Sequence, residues 1–394
     1  MNHATDQNDI PFGRPSLGAE EEEAALRVLR SGWLTTGKEC AAFEHEFAEM
    51  VGVPHAIAVS SATAGLHLAL EACGVTRGDA VVTTPLTFAA TAEVICALGA
   101  HPVFADIEPH TGNIDPEKAA AAMQQHSARA VIPVHLGGLR CSMEKLQAAA
   151  ETCAARIVED AAHSFPANID GQYSGTSGDA GVYSFYANKT ITTGEGGMIV
   201  THNDDYARRI KIMRMHGIDR DVWQRFTETR ASWRYDVVEP GYKYNLPDLL
   251  AAIGRIQLKK AHQLHAARQS IAEHYRQGLK DAAFLELPPA AAEHSYHLFQ
   301  IRLHTDRLRI SRDEFIHQLQ KSGISASVHY IPLHIMSCYA QRMGLHPQDY
   351  PAALEWYERC ISLPIYPDLE YSQVERIIDT VLKIGRSASG TDNN

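Results

Sequence analysis

The chain has 394 residues, 45% of them hydrophobic and 21% charged, with a formal net charge of -11. That length accommodates two domains and a sizeable core, while the acidic balance excludes a general nucleic-acid binder and leaves room for a local pocket for a small anion. Residues 1–15 lack the basic-then-apolar order of a secretory leader, and no run reaches the ~18 apolar residues of a membrane span, so the expectation is a cytoplasmic protein with no membrane partner.

In chain order, residues 1–15 read as an irregular lead-in, followed by a helix from Ser16 to Arg30 with Glu20 to Glu23 in its early turns. A loop through Thr35 and Thr36 leads to a second helix ending near Met50. Short apolar strands then alternate with helices. Strands are expected over His55 to Ser61, Ala80 to Leu86, Pro102 to Ile107, Ala128 to His135 and Arg156 to Glu159. Helices are expected over Ala62 to Cys73, Phe88 to Leu98, Pro116 to Gln125 and Ser142 to Cys153, and a further strand over Met198 to Thr201. This alternation predicts an α/β fold with a mostly parallel sheet, right-handed crossovers and helices on both faces. Ligands in such sheets bind beyond the carboxyl ends of the strands, which singles out the residues after Val59, Val82 and Val158 and those around Lys189.

Beyond a basic helix from Asp204 to His216, the polar and aromatic stretch up to Glu239 reads as an excursion or lid. Pro247 lies near the start of a long helical stretch that carries the chain into a second domain. There, strands are expected at Tyr296 to Leu303 and Ala326 to His329, and helices at Ser311 to Lys321, Ala352 to Cys360 and Ser372 to Gly385. The expected organisation is a lead-in (1–15), a large α/β domain (16–245), a smaller α+β domain (246–386) and a disordered tail (387–394).

The chemistry centres on Lys189, set between an apolar strand and the glycine-rich turn of SFYANKTITTGEGG. Most lysines are exposed surface charges, but one held at a strand end becomes a nucleophile when its surroundings favour the neutral amine. Ser61, Ala62 and Thr63 sit between a strand and a helix, where hydroxyls and free N–H groups form an anion cup; taken alone, simple capping by Ser61 is the commoner reading of the same residues and needs no ligand. Ser184 closes the same cup or pairs with backbone in its strand. Asp160 ends an apolar strand, where a carboxylate needs a cation such as a protonated pyridine nitrogen, a helix cap or a core salt bridge. His163 reads as a donor to a ring oxygen or as a core histidine, and Phe88 as a stacking plate or core. Together these groups match the needs of pyridoxal phosphate. Seven cysteines (Cys40, Cys73, Cys96, Cys141, Cys153, Cys338, Cys360) without a CxxC pair fit reduced thiols, and 21 histidines without ligand spacing give no expectation of a metal.

The motifs SGWLTTG, SSATAGLHLAL, TPLTFAATAEVI, VEDAAHSF, SFYANKTITTGEGG, PGYKYNLPDLLAAIG and SVHYIPLH span nearly the whole chain. On them the sequence resembles the DegT/StrS-type nucleotide-sugar aminotransferases of pyridoxal-phosphate fold type I. Within that family, GYKYNLPDL with SSATAG and EDAAHS is similar to the enzymes that aminate UDP-4-keto-arabinose. The resemblance implies Lys189 as the lysine that holds pyridoxal 5'-phosphate as an aldimine, with pyridoxamine phosphate as the intermediate form. It also implies Asp160 on the pyridine nitrogen, His163 near the ring hydroxyl, Phe88 on the ring face, and Ser61, Ala62, Thr63 and Ser184 around the phosphate. Many members carry Gly-x-Asn-x-Arg where this chain has Gly241, Lys243 and Asn245, so Lys243 and Asn245 are expected to contact cofactor phosphate or substrate across a homodimer with shared active sites. Thr35, Thr36, His329 and Tyr330 are expected on the sugar side. The implied reaction moves an amino group from L-glutamate to a keto group, at C4, of a nucleotide-linked sugar used in lipopolysaccharide or glycan modification. The alternatives are a C3-keto-sugar or aminocyclitol enzyme on the same fold, or a catalytically silent cofactor-binding regulator.

Overall fold

The computed structural model describes residues 9–219 and 235–389, so the stretch read as a lid, between Gly217 and Glu239, and the end of the tail lie mostly outside the described residues. The first two helices, Ala19–Ser31 (α1) and Lys38–Val51 (α2), both end at a glycine in the left-handed region, Gly32 and Gly52. Gly37, at the start of α2, has no side chain to cap it. Asp248 does so from a distance, accepting from the N–H groups of Gly37 at 2.7 Å, Cys40 at 3.0 Å and Glu39 at 3.2 Å. Asp248 opens the long helix Asp248–Leu279, here α8, so one carboxylate registers two helices against each other.

The strands are His55–Val59 (β1), Ala80–Thr83 (β2), His101–Phe104 (β3), Ala130–Ile132 (β4) and Arg156–Asp160 (β5), then a small hairpin of Asn168–Ile169 (β6) and Gln172–Tyr173 (β7), and finally Ala180–Ser184 (β8) and Gly197–Thr201 (β9). Between them run Ala62–Ala72 (α3), Ala90–Ala97 (α4), Pro116–His126 (α5) and Met143–Cys153 (α6), and Asp204–Met213 (α7) follows β9. The main sheet has seven strands in the order β1-β9-β8-β5-β4-β2-β3. Only β9 runs against its neighbours; the remaining pairs are parallel, as the alternation predicts. Successive residues point to opposite faces, so Ile57, Val158, Val182 and Ile199 pack under α3 and α7, while Ala58, Tyr183, Met198 and Val200 pack on Phe43, Phe47 and Leu258 of α2 and α8.

Several strands stop earlier than their apolar runs. β1 ends at Val59 because the Ser60 N–H turns to the Tyr244 carbonyl at 2.7 Å and Ser61 caps α3. β4 ends at Ile132, and Val134 makes only an isolated bridge with Asp160. A second sheet, β10-β11-β12, is antiparallel and consists of Leu285–Glu286, Phe299–Leu303 and Cys360–Leu363. The strand expected at Ala326 to His329 is absent, since Ser327 makes only an isolated bridge with Ser362. Cys360, expected as the end of a helix, instead begins β12, the helix Pro351–Arg359 having ended one residue before. The last helix, Tyr371–Ser389, runs past Gly385 and takes up the first residues expected as tail.

The lead-in is ordered where it is described. Ile10 is fully buried among Phe315, Leu319 and Ile324, and its N–H donates to the Gly323 carbonyl at 2.8 Å. No helix among the described residues is long and apolar enough to cross a membrane.

Candidate active site

The carboxyl ends of β1, β2, β5 and β8 surround a cavity of about 460 Å³. At its floor Ser61 caps α3 by accepting the Ala64 N–H at 3.1 Å, so the capping reading of Ser61 holds. Ala62 and Thr63 supply first-turn N–H groups that have no carbonyl partner within the helix, and all three residues line the cavity. Gly197 backs this turn. A Cβ there would stand 2.8 Å from the Ala62 nitrogen and the Ser61 carbonyl carbon, so only glycine lets β9 approach the helix start so closely. Ser184, the last residue of β8, opens on the same side.

Asp160, the last residue of β5, is 6% exposed. Its Oδ2 accepts from Thr91 Oγ1 at 2.9 Å and its Oδ1 from the Ala162 N–H at 3.2 Å, while Thr91 is bonded in turn to Thr87 at 2.8 Å. Burial pushes its carboxyl above the ordinary range, against the Thr91 and Ala162 hydrogen bonds and the Lys189 charge, so the site favours a cation opposite it. Glu159, one residue earlier, faces the other side of the sheet. Burial raises it, but His135 at 2.9 Å and the N–H groups of Ser177, Gly178 and Gly175 more than offset that and hold it ionised.

Lys189 sits in the turn after β8, its N–H bonded to the Tyr186 carbonyl at 3.0 Å and its Nζ 3.3 Å from His297 Nε2. Burial brings the amine down to about 7, with Asp160 opposing the shift and Arg268 adding to it. His163 Nδ1 accepts the Gly137 N–H at 3.3 Å, which leaves Nε2 to donate to Tyr330 Oη at 3.1 Å. Its ring lies 4.3 Å from that of His297, and burial keeps both neutral well below the ordinary histidine range. At the mouth, His329 is bonded to Ser362 Oγ at 2.8 Å and brought down to about 4 by burial, with the Lys189 charge adding to the shift. Phe88 also lines the mouth and is 61% exposed, a ring that no side chain among the described residues covers fully.

The structure thus brings together Ser61, Ala62, Thr63, Phe88, Asp160, His163, Ser184, Lys189, His329 and Tyr330 in one cavity. Thr35, Thr36, Lys243 and Asn245 stand apart from it. Asn245 donates to Thr36 Oγ1 at 2.6 Å and accepts from Lys243 Nζ, Thr36 donates to the Leu246 carbonyl at 2.6 Å, and Thr35 is exposed. Sequence reasoning missed Thr91, His297 and Arg268. Thr91, three residues after Phe88 in the first turn of α4, carried a positional signal; the other two reach the site only through tertiary contact. No group of three or more His, Cys, Asp or Glu side chains that could hold a metal ion occurs among the described residues.

A helix start that cups an anion, an exposed aromatic plate, a buried carboxylate and a near-neutral amine suit a flat cationic ring that carries an anionic arm and a carbonyl. A sequence model described as the DegT/DnrJ/EryC1/StrS aminotransferase family matches residues 15–382. The uncharacterized protein MJ1066 of Methanocaldococcus jannaschii is 43% identical over 378 residues, covering 95% of this chain and 97% of that one. The spore coat polysaccharide biosynthesis protein SpsC of Bacillus subtilis is 40% identical over 382 residues, covering 96% of this chain and 98% of that one. Among solved structures, Spr1654 of Streptococcus pneumoniae, named as a sugar aminotransferase, matches in its PMP form with a TM-score of 0.90 at 30% identity, over 96% of this chain and 100% of that one. It is also solved in a PLP form. DesI, solved in the presence of its TDP-sugar product, matches with a TM-score of 0.85 at 29% identity, over 98% of this chain and 96% of that one. The architecture is the fold type I expected from the sequence.

Proposed function

The chain belongs to the DegT/DnrJ/EryC1/StrS aminotransferase family, and from that premise we propose that it transfers an amino group from L-glutamate to the C4 keto group of a nucleotide-linked sugar, using pyridoxal 5'-phosphate held at Lys189. The observation that carries the reading is the juxtaposition of the lowered Lys189 amine and the buried Asp160 carboxylate in one cavity with the start of α3. The PLP and PMP forms of Spr1654 support the cofactor, and the TDP-sugar product of DesI supports a nucleotide-sugar substrate.

The residues fit the cofactor on the structure's own terms. The Ala62 and Thr63 amides and the Ser184 hydroxyl would hold its phosphate, in the cradle that Gly197 keeps open. Phe88 would cover one ring face, and Asp160, oriented by Thr91, would face the ring nitrogen and keep it protonated. When bound, this cofactor supplies an electron sink that stabilises negative charge on the carbon bearing the amino group. Lys189 does the proton work. An amine brought down to about 7 is largely uncharged just above neutrality, so Nζ can take a proton from the substrate carbon and return it, while His297 orients it. His163 and Tyr330 form a hydrogen-bonded wall that would face the ring oxygen, and with His329 they would border the side open to a sugar. Thr35, Thr36, Lys243 and Asn245, grouped outside this cavity, would face the site of a second copy in a homodimer.

The test is an absorbance spectrum of the purified protein before and after L-glutamate, followed by mass spectrometry with a panel of UDP- and dTDP-linked keto sugars. A visible band that bleaches with glutamate and returns with one 4-keto sugar, giving the amino sugar, is the expected result. Return with C3-keto sugars alone would move the amination to C3, and absence of any band with added pyridoxal phosphate would overturn the reading.

A further inference from the structure

Arg268 lies on α8, is 2% exposed, and has four hydrogen bonds that all end on main-chain carbonyls: Ile365 at 2.9 Å, Tyr296 at 3.2 Å, His297 at 3.4 Å and Asn188 at 3.4 Å. None of these acceptors is a carboxylate. Carbonyl dipoles solvate a guanidinium without cancelling its charge, and a buried cation held this way is costly. Its Nε has no partner among the described residues. Two of the four carbonyls have a special position: Asn188 precedes Lys189, and His297 carries the ring nitrogen 3.3 Å from Lys189 Nζ. One guanidinium therefore grips both the turn that presents the amine and the residue that receives it.

We propose that Arg268 is a positioning residue for Lys189, fixing the Asn188–Lys189 turn against His297 and, as a buried cation with no carboxylate partner among the described residues, opposing a second positive charge on Nζ. The groups around Nζ leave few other sources of that effect. Asp160, from β5, favours the charged amine. His163, His297 and His329 are kept neutral by burial, and burial pushes the Tyr330 hydroxyl up, so that it too is uncharged. Glu195 and Tyr186 open on the same cavity but are exposed to water. Burial itself and Arg268 remain as the influences that lower the amine. Any positive ring that engages Asp160 removes the one opposing charge and leaves burial, with Arg268 adding to it, to keep Lys189 uncharged.

The inference rests on Lys189 as the reactive amine of the proposed function, but its test uses the apoprotein and involves neither sugar nor turnover, so failure of the substrate reading leaves it intact. Lys189 in cofactor-free protein is acylated with acetic anhydride over the range between histidine and lysine titration, and the labelled peptide is quantified by mass spectrometry. In the wild type the midpoint is expected near 7. Arg268→Lys, which retains the charge, should keep that midpoint, whereas Arg268→Gln and Arg268→Met should raise it by about one pH unit. Loss of the carbonyl staple alone would lower the melting temperature of all three variants without separating their midpoints. Equal midpoints in folded variants would overturn the proposal. So would a wild-type midpoint at the ordinary lysine value, a result that needs no variant to fold.

Discussion

Asp160 depends on a single hydroxyl for much of its ionisation. Its carboxylate is buried and carries two hydrogen bonds, of which that from Thr91 at 2.9 Å is the shorter. Thr91→Val keeps the side-chain shape and removes the donor. An acceptor left unsatisfied in a buried site costs about 1–3 kcal/mol, and here that cost falls on the charged form. The sign follows from the direction of each influence: burial already raises this carboxyl, the Thr91 bond lowers it, and loss of the bond raises it further. If ionised Asp160 is what keeps the ring nitrogen protonated, activity should fall about tenfold, as expected for loss of about 1.4 kcal/mol of transition-state stabilisation. The acid limb of the kcat–pH profile should move to higher pH. A pH–rate series on the two proteins checks this, and an unshifted acid limb would remove Thr91 from the site's electrostatics.

The element on which the phosphate reading depends is the start of α3, and its weak point lies on a different strand. Gly197→Ala would set a methyl 2.8 Å from the Ala62 nitrogen and the Ser61 carbonyl carbon, backbone atoms that cannot rotate away. Overpacking of this kind costs about 1–3 kcal/mol, and the strain would push the anion cup open. Calorimetric titration with pyridoxal phosphate should show at least a tenfold loss of affinity together with a lower melting temperature. Undiminished affinity would place the phosphate elsewhere. This dependence also marks what was legible in the sequence. Ser61, Asp160 and Lys189 could be found because they follow apolar strands, and ligand edges lie at strand ends. The reach of each strand was less legible, because apolar composition continues where pairing stops: Val134 leaves the ladder after β4 yet still bridges to Asp160. β12 was hidden because Cys360–Leu363 follows a helix without a turn residue to separate them. Arg268 and His297 could not be read at all, since each acts on Lys189 from a distant segment and neither position carries a local signal.

At the scale of the molecule, the lead-in joins the two sheets' surroundings across the mouth of the site. Ile10 is buried among residues of the helix Arg312–Lys321 and its following turn, and the Ser325 N–H returns a bond to the Ile10 carbonyl at 3.0 Å. Two residues later Phe12 stacks on His329 at 5.3 Å, and Ser16 then contacts Asp368 at 3.0 Å and, through its carbonyl, Gln257 at 2.9 Å. A lone isoleucine in a polar run has no periodicity, which is why this segment reads as irregular in sequence although it completes a core. Ile10→Ala should therefore destabilise the protein as a core truncation does, by about 2–4 kcal/mol, and Ile10→Val by about 0.5–1.5 kcal/mol. Urea unfolding followed by fluorescence would measure both. The order of the two variants separates packing from anchoring. A loss graded with the volume removed assigns Ile10 to the core, whereas little loss in either variant would mean that the main-chain bonds to Gly323 and Ser325 alone hold the lead-in against His329.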